Sequence, residues 1–186
     1  MSESVLALVE IVPATASKDA AAALIEQAST RAAAAGAELI EAEVTAPADR
    51  VFLVFETADL TALGSAVLGL DDVTEVEGPD QVRLVGADLE DIKAARPEAG
   101  YLVEWDIPAH IDMDTYLSRK KEKSPLYAEI PEVSFLRTYV REDVAKCLCL
   151  YNAPDEDAVV RAREIVSTPI DRLHALDVAP VPGGAG

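Results

Sequence analysis

The sequence predicts an α+β fold: two tandem ferredoxin-like (βαββαβ) units packed as an intramolecular α+β barrel. Three observations carry this. An order of strand and helix signals, β-α-β-β-α-β, runs through residues 1–86 and recurs through residues 101–178. Two segments echo each other at equivalent points of that order: Leu8-Val9-Glu10 before Pro13 matches Leu102-Val103-Glu104 before Pro108, and Phe55-Glu56-Thr57-Ala58-Asp59 matches Tyr151-Asn152-Ala153-Pro154-Asp155. Half of the chain is hydrophobic but only 5% is aromatic, so Ala, Val and Leu must fill the core.

In the first unit, Val5 to Val12 is β-rich and stops at Pro13. Ser17 precedes an alanine-rich helix closed by Gly36. Ala37 to Val44 alternates apolar and acidic residues as a half-buried strand does, and Arg50 to Phe55 completes a hairpin across Ala46-Pro47-Ala48-Asp49. Asp59 can cap a second helix to Leu68, and Asp72 to Glu77 and Gln81 to Val85 are closing strands around Gly78-Pro79. Residues 87–100 form a polar linker with one helical turn at Asp88 to Ala95. The second unit follows: strand Tyr101–Ile107, a helix within Asp112–Glu129 broken near Pro125, strands Val133–Val140 and Ala145–Tyr151, a helix from Pro154-Asp155 to about Val166, and strand Asp171–Val178. Residues 179–186 are expected to be a disordered tail.

The formal net charge of -18 repels phosphate backbones, and no Lys/Arg stripe offsets it, so nucleic acid is not an expected partner. Solubility is the plain reading of this acidity, and an acidic face for another protein is the alternative. No apolar run is long enough to cross a bilayer, and the N-terminus lacks the basic region of a secretory signal. Cys147 and Cys149 lie too far apart along a strand for an easy disulfide, which points to free thiols in a reducing cytoplasm. Nucleotide-loop, serine-hydrolase and zinc-protease motifs are absent, and His110 and His174 form no ligand-spaced pair. No cofactor or metal ligand set is therefore assigned.

In a βαββαβ unit both helices cover one sheet face; two bare faces brought together enclose a cavity. With a period of two, Val103, Trp105, Leu136, Leu148 and Leu150 are expected under the helices. Glu104, Phe135, Arg137, Tyr139, Cys147, Cys149 and Tyr151 are then expected to face the cavity, with Glu10, Glu41, Glu43, Val51, Leu53 and Phe55 from the first unit. The catalytic candidates are Glu104, Tyr139, Arg137 and Cys149. Desolvation would raise the pKa of Glu104 and make it an acid/base, Arg137 and Tyr139 would hold developing negative charge, and Cys149 would line the pocket or attack. Glu10, Glu41, Phe55, Phe135, Cys147 and Tyr151 are the ligand-binding candidates. Each has a structural reading beside it: a Glu104–Arg137 ion pair, cysteines as small buried hydrophobes, tyrosines as core residues with satisfied hydroxyls, and edge-strand solubility for Glu41 and Glu43.

The second half carries Leu102-Val103-Glu104, Thr138-Tyr139-Val140, the run Cys149-Leu150-Tyr151-Asn152-Ala153-Pro154-Asp155-Glu156-Asp157-Ala158-Val159, and Thr168-Pro169-Ile170-Asp171-Arg172-Leu173. In these stretches it resembles the nickel-binding-protein-like family of small bacterial ferredoxin-like domains, most of unknown function. The resemblance covers residues 101 to about 178. It implies a barrel cavity with Glu104, Tyr139 and Cys149 at characteristic positions, and pairing of single units into dimers, which a tandem chain would build internally; a homodimer of the tandem chain stays open. The histidine shortage does not suit nickel, and Asn152 stands where relatives look acidic. The functions expected are a small-molecule-handling barrel protein acting as a cofactor-free isomerase, cyclase or oxygenase, a non-catalytic metal or small-ligand binder, or an acidic interaction module.

Overall fold

The computed structural model describes residues 3–95 and 99–177; Pro97 of the expected linker and the expected tail lie outside them. The chain divides into two compact units. The described parts of the first are 3–82, 92–95 and 177; those of the second are 83–91 and 99–176.

The first unit contains β1 (Val5–Pro13), α1 (Lys18–Ala34), β2 (Glu38–Thr45), β3 (Val51–Thr57), α2 (Leu60–Leu68) and most of β4 (Val73–Val85). Its strands pair antiparallel in the order β4-β1-β3-β2. Ser17 caps α1 by accepting from the Ala20 N–H, and Asp59 caps α2 by accepting from the Ala62 N–H, as the sequence predicts. The expected break at Gly78-Pro79 is absent: β4 is one strand with a cis Gly78–Pro79 bond. Gly78 has a φ of +97°, and a Cβ there would lie 2.4 Å from the Leu8 carbonyl oxygen, so only glycine lets β4 pass β1 this closely.

After α3 (Leu89–Ala95), the second unit repeats the order with β5 (Tyr101–Asp106), α4 (Met113–Lys123), a 3-10 helix (Ser124–Glu129), β6 (Ser134–Arg141), β7 (Lys146–Asn152), α5 (Glu156–Ile165) and β8 (Arg172–Asp177). Its sheet order, β8-β5-β7-β6, is that of the first unit. Asp112 and Asp155 cap α4 and α5. The expected break near Pro125 falls at Ser124-Pro125, where the chain tightens from α to 3-10 geometry. Among the described residues, no helix is long and apolar enough to cross a membrane.

The register corrects the expected faces. Directly opposed residues of an antiparallel pair share a face. Val103 opposes Cys149 and Trp105 opposes Cys147, so both cysteines, with Tyr151, pack in the helix-side core and not on the opposite face. Leu148 and Leu150 oppose Glu104 and Leu102 and lie on the other side. Hydrophobicity could not choose between the two phases of β7, because Leu148 and Leu150 are as apolar as the alternative; the Val103 and Trp105 pairings choose. A bulge between Phe135 and Arg137 makes a second correction. It inserts Leu136, so Phe135 turns to the helix side while Arg137 and Tyr139 keep the opposite face. In the first unit, Val51, Leu53 and Phe55 oppose Ile11, Val9 and Ala7 and are likewise helix-side core, whereas Glu10 opposes Phe52 on the other face.

Candidate functional site

The predicted site residues divide between two faces of the second sheet. Glu104, Arg137 and Tyr139 are buried on the face away from the helices, and Cys147, Cys149, Tyr151 and Phe135 belong to the helix side. Glu10, Glu41 and Glu43 are buried in the first unit, with Arg50 3.6 Å from Glu10, and Phe55 lies in that unit's helix-side core.

Glu104 is fully buried and ion-paired. Lys146 contacts one carboxylate oxygen, and Arg172 Nε and His174 Nε2 stand 3.0 and 2.6 Å from the other. Burial alone would raise its pKa as the sequence reading expects. The hydrogen bonds from His174 and Lys146 and the charges of Lys146 and Arg172 outweigh burial and hold the carboxyl at about 2. Glu104 is thus an anchored carboxylate at neutral pH, its pKa lowered where the sequence reading expects it raised.

On the helix side a pocket of about 40 Å³ opens between the sheet and α4, the 3-10 helix and α5. The thiols Cys147 and Cys149 lie on its floor, with their Sγ atoms 3.9 Å apart. Three groups serve Cys149. The Cys147 thiol approaches it, Thr138 Oγ1 donates to it over 3.4 Å, and Arg163 Nη1 donates to it over 3.4 Å. The same Nη1 donates to Tyr151 Oη at 3.1 Å, Nη2 donates to the Pro169 carbonyl at 2.6 Å, and Nε is buried without an acceptor among the described residues. Tyr127 and Tyr151 share a hydroxyl hydrogen bond of 2.6 Å.

Arg163 is 3% exposed. A guanidinium so buried is costly without an anionic partner; of its two ionisable partners, burial drives the Tyr151 hydroxyl up, and the Cys149 thiol is the one driven down. The two thiols titrate as a coupled pair. Hydrogen bonding from Cys147, aided by Lys120, Arg163 and Thr138, drives the Cys149 pKa well down against burial, while its bond to Cys149 and burial drive Cys147 well up. Burial also raises Tyr116, Tyr127 and Tyr151, so these hydroxyls keep their protons.

Among the described residues, the pocket's lining includes four cationic side chains, Arg119, Lys120, Lys123 and Arg163, and no carboxylate, within a chain of net charge -18. Lys120 Nζ lies 4.4 Å from the Phe135 ring centre, and Arg119 lies 6.0 Å from that of Trp105.

Sequence reasoning missed Arg163, Thr138, Tyr127 and the cations of α4. A signal for Arg163 exists: Ala158, Val159 and Ala162 define the buried stripe of α5, and Arg163 falls on it, a charge where the period demands an apolar residue.

Residues 101–176 match the family described as nickel responsive protein SCO4226-like, which bears out the resemblance of the second half. SCO4226 from Streptomyces coelicolor A3(2) aligns at 17% identity over 44% of this chain and 100% of its own, with a TM-score of 0.39. TA0507, assigned as a chlorite dismutase, is 13% identical over 95% of this chain and 96% of its own, with a TM-score of 0.53. A protein assigned as a monooxygenase from Lactobacillus acidophilus NCFM is 10% identical over 95% and 94%, with a TM-score of 0.50. These last two likenesses establish the α+β fold over nearly the whole chain. No curated protein matches the sequence.

Proposed function

We propose that the chain handles a small anionic or electron-poor molecule in the thiol pocket of the second unit, with Cys149 as a thiolate nucleophile. One observation carries this reading. Cys147, Cys149, Tyr151, Thr138 and Arg163 take the places that the sheet registers and capping residues assign to Val51, Leu53, Phe55, Ala42 and Val67 in the first unit. The fold is built there from apolar side chains, so a sulfur met by Cys147, Thr138 and Arg163, with Tyr151 on the same guanidinium, is not required by the architecture. The cations favour the thiolate and an anionic ligand. The pocket holds a few water-sized groups, which suits a small molecule.

Alkylation of the native protein tests this. Iodoacetate should modify Cys149 faster than neutral iodoacetamide does, reversing the order seen for free cysteine, and the reaction should persist at pH values where ordinary thiols are protonated. Peptide mapping should place the adduct on Cys149, with R163V slowing it. Modification that appears only after denaturation would overturn the reading.

A soft metal ion is the second reading. The 3.9 Å Sγ–Sγ distance suits two thiolates on one ion, since metal–sulfur bonds of about 2.3 Å set at a tetrahedral angle place sulfurs near this distance. The nickel responsive family match over this unit points the same way, and the cationic lining opposes it. Calorimetric titration with nickel separates the two: heat that disappears in C147A/C149A favours the metal, and absence of heat leaves the thiolate reading.

A further inference from the structure

We infer that the Cys149 sulfur reduces hydroperoxides of about the size of hydrogen peroxide, an assignment that rests on the thiolate reading above. Four features of the pocket support it. The volume of about 40 Å³ admits a few water-sized groups, which fits a peroxide O–O unit and excludes a bulky chain at the sulfur. The sulfur is held between the Arg163 guanidinium and the Thr138 hydroxyl, both at 3.4 Å. Donors so placed can also meet the oxygen on which negative charge grows as an O–O bond breaks, without reorganising. Arg163 Nε remains buried with no acceptor among the described residues, a further donor on a pocket-lining residue. Finally, Tyr127 lines the pocket and its hydroxyl, bonded to Tyr151, retains its proton.

The step balances as follows. The Cys149 thiolate attacks one oxygen of ROOH. An S–O bond forms and the O–O bond breaks, so sulfur loses two electrons to become sulfenic acid. The leaving RO⁻ takes a proton from Tyr127, which regains one from water, and departs as ROH. Cys147 is the neighbouring thiol, but two residues on one face of a strand stand near the outer limit of disulfide reach. An external low-molecular-weight thiol therefore closes the cycle. Its sulfur displaces water from the sulfenic acid to give a mixed disulfide, and a second thiol molecule releases Cys149 and carries away the disulfide. The sum is ROOH + 2 R′SH → ROH + R′SSR′ + H₂O.

The full chain is mixed with hydrogen peroxide and, separately, with bulky cumene hydroperoxide. Oxidation is followed by the fluorescence of Trp105, which lines the same pocket and is the chain's sole tryptophan. Dimedone trapping and peptide mapping locate the sulfenic acid. Hydrogen peroxide should oxidise Cys149 on the order of a hundredfold or more faster than it oxidises free cysteine, and R163V should lose about a hundredfold of that rate, the usual cost of a deleted charge-stabilising donor. Circular dichroism of R163V should match that of the parent, and R163K should recover part of the rate. Cumene hydroperoxide should react more slowly than hydrogen peroxide. Rapid alkylation of Cys149 by iodoacetate together with peroxide oxidation no faster than that of free cysteine overturns this inference and leaves the broader function standing. Failure of both reagents overturns both. If C149A does not fold, the R163V comparison in folded protein decides, and an unchanged peroxide rate there counts against the assignment.

Discussion

The two units share one strand order and one pair of β-bulges, yet they fill the space between sheet and helices differently. In the first, α1 runs unbroken over 17 residues and buries Ala21, Leu24, Ile25, Ala28 and Ala32 against Val51, Leu53 and Phe55. In the second, the corresponding segment is an 11-residue helix that buries Tyr116 and then tightens into a 3-10 turn at Ser124-Pro125. The first unit packs alanines and aliphatic side chains between sheet and helix, whereas the second places Tyr116, two thiols and a buried guanidinium there, beside Arg119, Lys120 and Lys123. One architecture thus carries an apolar core in one copy and a thiol-lined pocket in the other.

The largest expected effect lies at Glu104. Removing it in E104A leaves Lys146 and His174 without the carboxylate they meet and should cost about 3–5 kcal/mol in urea unfolding. The pH dependence has a definite sign. Its folded pKa, about 2, lies below the ordinary value of 4.5, so the unfolded chain takes up the proton first as pH falls. The stability from this carboxylate is fully present above the ordinary value and is lost towards pH 2. The gap between the parent and E104Q should therefore narrow over that window, and a gap independent of pH would dissociate Glu104 from the ion cluster.

Core truncation comes next. L53A removes a fully buried side chain from the first unit and should cost about 2–5 kcal/mol. C149A/R163V at the equivalent places in the second unit removes the sulfur together with the buried guanidinium it partners and should cost distinctly less. Equal losses in thermal unfolding would argue that the second layer is packed as tightly as the first.

Converting the pocket to the first unit's residues sharpens the comparison further. The triple variant T138A/C149L/R163V replaces the polar group with its apolar counterparts. It should unfold at equal or higher denaturant, gaining up to about 1–4 kcal/mol as buried charges often do when exchanged for packed apolar groups, while losing iodoacetate reactivity. Destabilisation would show that the polar set is structural. The smallest effects belong to the caps: D59A and D155A should each cost about 0.5–2 kcal/mol, and by similar amounts, since both carboxylates accept one helix N–H at 3.0 and 2.8 Å.

Much of the fold was legible because it is local. Ser17, Asp59 and Asp155 are capping residues whose side chains meet a backbone N–H three residues on, and Gly36 takes the positive φ that ends α1. The candidate site was legible only in part. Cys149 was recognisable as a chemical group, but Glu104, Arg137 and Tyr139 were joined to it by counting in twos, and the Leu136 bulge together with the β5–β7 register puts them on opposite faces. Arg163 was hidden because a charged residue near a helix end reads as solvated until the buried stripe of α5 is traced.

The sequence by itself determined the element order, the helix ends, the internal repeat and the free thiols, since propensity, capping and spacing act over a few residues. The tertiary structure alone decided which face of β7 meets the helices, that Glu104 is pinned by Lys146, Arg172 and His174, and that Arg163 reaches Cys149. Those outcomes depend on strand register and on contacts between residues as far apart in the chain as Glu104 and His174. Such pairings are selected by the packing of a whole unit, and no local preference encodes them.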